Sequence, residues 1–413
     1  MQNIYFWLIL FFILLGYFLE RFLEYLNTRA WSEEVPPPLR GIYDEKEYAR
    51  SQRYYLDNLR FGVMTSAFST ILTLAMILTG GFAFLDQWTG TISWNEILHT
   101  LLFFGVLGLG YDLLTMPFQW YDNFVIEARY GFNRMTKRTF LTDKMKSWFL
   151  AVVIGGPLLA ALVMFYQMAG KTFWLWAWML FTLFSLFFTM FYSSLIVPLF
   201  NEQKPLEEGR LRERILKMCK EAGFPHTEVY VMDGSRRSSK ANAYFTGIGK
   251  KKRIVLYDTL LQDLSEEEVL AVLAHEIGHY RKKHVFWSLL LSVLETGLLL
   301  WVLSLFLRDP RLSEALGGEG TSLRLGLVAF TLIISPLTTL LGLVTGLISR
   351  RNEFAADAFA AALGYKTSLS SALIRLSMKN LSNLTPHPAY VFFHFSHPPL
   401  LDRLSALDKN AHG

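Results

Sequence analysis

The sequence predicts a mainly α-helical, polytopic membrane protein that carries a helix-and-sheet region on one side of the bilayer. Three observations lead there. Of 413 residues, 52% are apolar and only 18% charged, too apolar for a disordered chain and poorer in charge than ordinary soluble domains. The apolar residues are bunched into runs that approach or exceed the roughly 20 residues needed to cross about 30 Å of hydrocarbon. Long charged stretches separate those runs. The single cysteine, Cys219, excludes an intrachain disulfide framework and a cysteine-rich metal site.

The first run, Ile4 to Leu19, continues as a helical pattern through Glu20, Arg21 and Glu24 to Leu26. Met1 to Asn3 carry neither Lys nor Arg and no small-residue cleavage site follows, so an uncleaved span is predicted rather than a signal peptide. Further spans are predicted at Phe61 to Leu85, Ile97 to Phe118, Trp148 to Met168, Phe173 to Phe200, Val285 to Leu307 and Leu325 to Ile348, giving seven. Basic residues set their orientation. Arg29, Arg40, Lys46, Arg50, Arg53 and Arg60 follow span one, and Arg129, Arg134, Lys137, Arg138, Lys144 and Lys146 follow span three, whereas Asp86 to Glu96 holds none. The N-terminus is therefore predicted outside and the C-terminus in the cytosol. The net charge of +5 reads as topology, not as affinity for nucleic acid.

Four segments result. Residues 1–200 hold spans one to five, 201–284 form a cytosolic region, 285–348 hold spans six and seven, and 349–413 form a second cytosolic region able to share one site with the first. In 201–284, Pro205 to Ala222 reads as an amphipathic helix, and Thr227 to Met232, Ala243 to Phe245 and Arg253 to Tyr257 read as short strands around Gly247 and Gly249. Ser265 and Glu268 make a capping box, so a helix is predicted to start near Ser265.

That helix contains His275-Glu276-Ile277-Gly278-His279. Histidines at i and i+4 project from one helical face, so both imidazoles can reach one zinc ion while Glu276 is placed to act as base on a water. A catalytic zinc keeps three protein ligands and one open position. The best candidate for the third is Glu353, directly after the last span, with Asp357 one turn on, able to accept a hydrogen bond from a ligating imidazole. Asp112, His99 and Glu295 lie inside spans, where an ionisable group is costly, and are expected to line a cavity. His284, His387 and His394 read as ordinary polar histidines.

Together with Ile126 to Asn133, Pro198 to Asn201, Asn242-Ala243-Tyr244-Phe245, Arg253 to Leu261, Ser349 to Asp357 and Ser396-His397-Pro398-Pro399, this motif resembles the integral-membrane zinc peptidases of the Ste24 type, the CAAX prenyl protease 1 family. The resemblance covers nearly the whole chain. It implies a seven-helix barrel around a large intramembrane chamber, closed at its cytosolic end by the zinc domain. It also implies one zinc ion per chain, held by His275, His279 and Glu353, with Glu276 as base, Asp357 as supporting partner and His397 stabilising the transition state. Asn242, Ala243 and Tyr244 resemble the edge strand on which such peptidases pair an extended peptide. Animal and fungal members carry a Tyr after a Ser-Pro pair, reaching toward the reacting carbonyl, where Ser335-Pro336 is here followed by Leu337.

The implied substrate is a prenylated C-a-a-X peptide or another hydrophobic, membrane-tethered peptide, and the implied surroundings are a lipid bilayer. The C-terminal residues lack a dilysine signal, so a bacterial inner membrane is expected in preference to the endoplasmic reticulum. Competing readings are a shorter quality-control zinc protease of the HtpX kind and a transporter or channel with a structural zinc. Three ligands plus an aimed Glu favour an enzyme, since structural zinc sites close all four positions.

Overall fold

The computed structural model describes residues 3–223, 228–246 and 253–409, with backbone alone at Thr246. The first half is helical: α1 (Ile4–Arg29), α2 (Glu45–Leu78), α3 (Gly81–Ile92), α4 (Glu96–Tyr121), α5 (Lys137–Leu150), α6 (Gly156–Ala169), α7 (Phe173–Leu195) and the short α8 (Val197–Phe200). A mixed region follows with β1 (Gln203–Pro205), α9 (Arg210–Glu221), β2 (Glu228–Met232), β3 (Ala243–Thr246), β4 (Arg253–Tyr257), α10 (Asp258–Asp263) and α11 (Glu266–Arg281). Helices α12 (His284–Phe306), α13 (Pro310–Glu314), α14 (Leu323–Ile333), α15 (Ser335–Ala360), α16 (Lys366–Lys379), α17 (Pro388–His394) and α18 (Leu400–Lys409) complete the chain.

Trp7, Phe18, Ile71, Phe149, Leu183 and Leu305 are each more than half exposed, which water would penalise and hydrocarbon does not. Among the described residues, five helical stretches are long and apolar enough to cross a bilayer: Ile4–Arg29, Glu45–Leu78, Glu96–Glu127, Lys137–Phe200 and His284–Phe306. The bent pair α14 and α15, at 52°, makes a sixth when taken as one span. The protein is thus a mainly helical, multi-pass membrane protein.

Several boundaries differ from expectation, each for a local reason. The second span stops at Leu78, because Gly80 adopts φ +72° and α3 begins anew. Asp86 to Glu96, expected as a loop, lies largely in α3. It is held there by the buried Arg324, which binds Asp86 and donates from Nη1 to Glu96 Oε1 at 2.5 Å. The spans expected at 148–168 and 173–200 share one helical stretch that turns at Gly170 (φ +57°), where Tyr166 and Phe173 meet edge to face at 5.5 Å. Helix α9 starts at Arg210 rather than Pro205, because Gln203 to Pro205 pair with β2. Thr227, Gly247 and Gly249 lie outside the described residues.

The intramembrane charges divide. Asp112 accepts from Lys144 Nζ at 2.6 Å and Trp148 Nε1 at 2.9 Å, and His99 Nε2 sits 2.8 Å from the Asp86 carbonyl oxygen. Both are therefore paired within the bundle. Glu295 is different: its Oε1 is buried without a hydrogen-bond partner among the described residues.

The sheet has the order β1-β2-β4-β3, with β2 and β4 parallel and the outer pairings antiparallel. Strand β3 is therefore an edge. Two main cores form: one joins α1, α4, α6, α7, α12 and α14 through residues such as Ile9, Phe103, Val163 and Ala329, and the other joins the sheet to α11, α15 and α16.

Candidate metal centre

Helix α11 begins with the expected capping box. Ser265 N–H donates to Glu268 Oε2 at 2.8 Å and Glu268 N–H donates to Ser265 Oγ at 3.4 Å. Leu270, Ala271, Leu273, Ala274 and Ile277 are buried, which fixes the rotation of the helix and turns His275 and His279 to a shared face. At Gly278 a Cβ would lie 3.0 Å from Ala356 Cα and 3.1 Å from its carbonyl oxygen. Only glycine lets α11 and α15 approach so closely, and that contact brings Glu353 beside the two histidines.

The three side chains converge. His275 Nε2 lies 3.2 Å from His279 Nε2 and 3.4 Å from Glu353 Oε2, His279 Nε2 lies 3.2 Å from Glu353 Oε1, and one donor atom from each fits within 4.8 Å of the others. Glu353 and Asp357 are buried, and Glu353 Oε2 has no hydrogen-bond partner among the described residues. Asp357 Oδ1 accepts from His275 Nδ1 at 2.8 Å. A carboxylate is an acceptor only, so the Nδ1 proton is fixed and Nε2 is the ring atom left to face Glu353. Burial opposes the charged imidazole of His275, but hydrogen bonds to Asp357 and Glu353 outweigh it and bring the pKa up to about 9. Burial also pushes the Glu276 carboxyl up, against the pull of His275 and His279. Two imidazoles and a carboxylate form a donor set that suits zinc.

Two participants escaped the sequence reading. Arg403, buried on α18, donates from Nε to Asp357 Oδ2 at 2.8 Å and from Nη2 to Asp357 Oδ1 at 2.6 Å. His284, read as ordinary, places Nδ1 3.1 Å from His279 Nδ1. His397 sits on the exposed side of the cluster with Nε2 3.3 Å from Glu353 Oε1. His387 caps α17, and His394 reaches Glu20 at 3.4 Å.

On β3, Asn242 leads into the edge and its Oδ1 accepts from the Ala243 N–H at 2.8 Å. Ala243 packs into the core it shares with α11, whereas the Tyr244 hydroxyl turns toward Ser193 and Gln203, both at 3.4 Å. Leu337 lies in the first turn of α15, about 24 Å along the helix from Glu353 at 1.5 Å per residue.

Residues 24–202 match the family described as CAAX prenyl protease N-terminal, five membrane helices, and residues 205–411 match peptidase family M48. The chain is 37% identical over 409 residues to the CAAX prenyl protease 1 homolog of Oryza sativa subsp. japonica, spanning 97% of this chain and 96% of that one. It is 34% identical over 419 residues to CAAX prenyl protease 1 of Saccharomyces cerevisiae, spanning 94% and 92%. Its backbone matches the crystal structure of S. mikatae Ste24p with a TM-score of 0.94 at 31% identity, covering 99% of this chain and 100% of that chain.

Proposed function

This chain belongs to peptidase family M48 and is a membrane zinc endopeptidase, and from that premise we propose that it cuts near the C-terminus of prenylated C-a-a-X or other membrane-tethered peptides. The observation that carries the reading is the convergence of His275, His279 and Glu353, with one donor atom from each within 4.8 Å of the others, at the helix that also carries Glu276. The donor set fits one zinc ion with a coordination position left for the reaction. Bound zinc supplies Lewis acidity and brings the pKa of a water to about 7. Glu276 takes the proton released as the peptide carbonyl is attacked and returns it to the leaving amine. His397 holds the oxygen on which charge develops. Asp357, clamped by Arg403, keeps His275 in one orientation and one tautomer. Asn242, Ala243 and Tyr244 offer a peptide the free backbone edge of β3, which tolerates many side chains.

The stretch Lys137–Phe200 has 64 residues, about 96 Å as a straight helix against about 30 Å of hydrocarbon. The turn at Gly170 supports two crossings there, hence seven in all around a chamber, with the N-terminus outside and both peptidase segments cytosolic in a bacterial inner membrane. A cysteine placed at Gly90 in a Cys219→Ser background is expected to react with an impermeant reagent on intact cells, and one at Ser51 is not. The reverse pattern inverts the orientation.

The match over residues 24–202 disfavours the shorter HtpX kind, and a three-ligand site disfavours a structural zinc in a transporter. Glu353→Ala is expected to lower bound zinc well below one per chain, since two imidazoles remain. Stoichiometric zinc retained after dialysis against a mild chelator would assign the third ligand elsewhere.

The deciding test is peptide turnover followed by mass spectrometry. A farnesylated C-a-a-X peptide is expected to be cut between the modified Cys and the next residue, and an unprenylated hydrophobic peptide more slowly. No product from either substrate with zinc-loaded protein would overturn the proposal.

A further inference from the structure

Asp112 and Arg324 satisfy their charge with partners inside the bundle, but Glu295 Oε1 is buried with no hydrogen-bond partner among the described residues. Glu295 lies eleven residues into α12, about 16 Å along the helix from His284 at 1.5 Å per residue. An ionisable side chain at that depth is expensive unless it faces a partner or an aqueous cavity. Here it opens onto a cavity of about 380 Å³ between α12, α15 and α17, where the hydroxyls of Ser288, Ser292, Thr345 and Ser349 alternate with apolar walls such as Phe393 and Phe395, and the one other ionisable side chain, His394, is turned to Glu20 at 3.4 Å.

This cavity adjoins the metal centre along each of its walls. Ser349 stands one turn before Glu353 on the same face of α15, and Ser396 bonds His397 Nδ1 at 2.9 Å. On α12, Ser288, Ser292 and Glu295 recur at helical spacing below His284, which touches His279. Hydroxyls can follow the N–H and C=O groups of a peptide backbone, whereas a lone carboxylate calls for a positive charge or a strong donor.

We propose that this cleft receives the substrate segment leading away from the scissile bond, and that Glu295 selects a substrate carrying a Lys or Arg side chain about three to five residues from that bond. The spacing follows from about 16 Å of helix and about 3.3 Å per residue of extended peptide, allowing for the reach of the two side chains. The inference rests on the peptidase reading and names a specificity element within it.

The test is a lysine scan. A neutral parent peptide that is cleaved, and derivatives with one Lys moved stepwise on either side of the scissile bond, are turned over by zinc-loaded wild type, Glu295→Gln and Glu295→Lys. Wild type is expected to show kcat/KM raised about tenfold when Lys stands at one position in the stated window. Glu295→Gln should erase that maximum while cutting the neutral parent within about twofold of wild type, and Glu295→Lys should move the preference to Glu at the same position. An identical Lys profile in wild type and Glu295→Gln overturns the inference, as does a Gln variant that loses the neutral parent and the lysine peptides equally. Failure of zinc-loaded wild type to cut any peptide tried as parent, the farnesylated C-a-a-X peptide included, overturns the peptidase reading itself.

Discussion

Glu276→Gln is expected to keep fold and zinc and to lose turnover by a factor of about 10² to 10⁴, the usual worth of a positioned general base. The amide is nearly isosteric with the carboxylate, and Glu276 is not among the side chains whose donor atoms converge on the metal position. What disappears is the ability to accept a proton at all. Burial raises the Glu276 pKa from its ordinary value, which makes the carboxylate a stronger proton acceptor at neutral pH than an exposed one. Metal content and residual turnover of a farnesylated peptide, measured on the same preparation, separate a lost base from a lost ligand. A zinc-loaded variant that retains more than about 5% of the wild-type rate would sink the assignment.

Arg403→Met is expected to be the most damaging change away from the ligands. Asp357 is 1% exposed and loses both charge-assisted bonds from the guanidinium. Leaving one charge of a buried pair unpartnered costs about 3–5 kcal/mol. The loss does not stay local, because Asp357 also holds His275 Nδ1. Weakening such a supporting bond costs about 10- to 100-fold in metal affinity. The denaturation midpoint in detergent and zinc affinity by chelator competition are both expected to fall. A variant with unchanged midpoint and unchanged zinc affinity would show that Asp357 is held by His275 alone.

What was legible in the sequence follows from how local its cause is. The pairing of His275 with His279 and the capping box at Ser265 depend on neighbours within one turn, so the motif alone locates them. Glu353 and Asp357 were reached from their place just after the last span and one helical turn apart, His397 through segment resemblance, and the structure brings them to the same cluster. Arg403 was not legible, since its partner is 46 residues away and a lone Arg on a short amphipathic helix reads as a solvated one. The ends of the second span and the bend before Ser335 were marked by Gly80-Gly81 and Pro336, signals that hydropathy runs override. Arg324 shows the opposite failure: a charge at the edge of a predicted span, which reads as solvated, belongs to a buried network whose members, Asp86 and Glu96, lie more than 200 residues earlier.

The bend between α14 and α15 gives the site a mechanical exposure to the lipid. Glu353 sits eighteen residues beyond Ser335 on one helix, a lever of about 27 Å. A change in tilt of about 5° at that pivot sweeps its tip by about 2 Å, and hydrophobic stretches answer a thicker or thinner bilayer by tilting. Displacements of about 1 Å at a reacting centre are enough to cost rate heavily. His275 and His279, on the separate helix α11, do not ride the same lever. Acyl-chain length therefore enters as a variable of the coordination geometry, and the close contact at Gly278 is the clamp that opposes it.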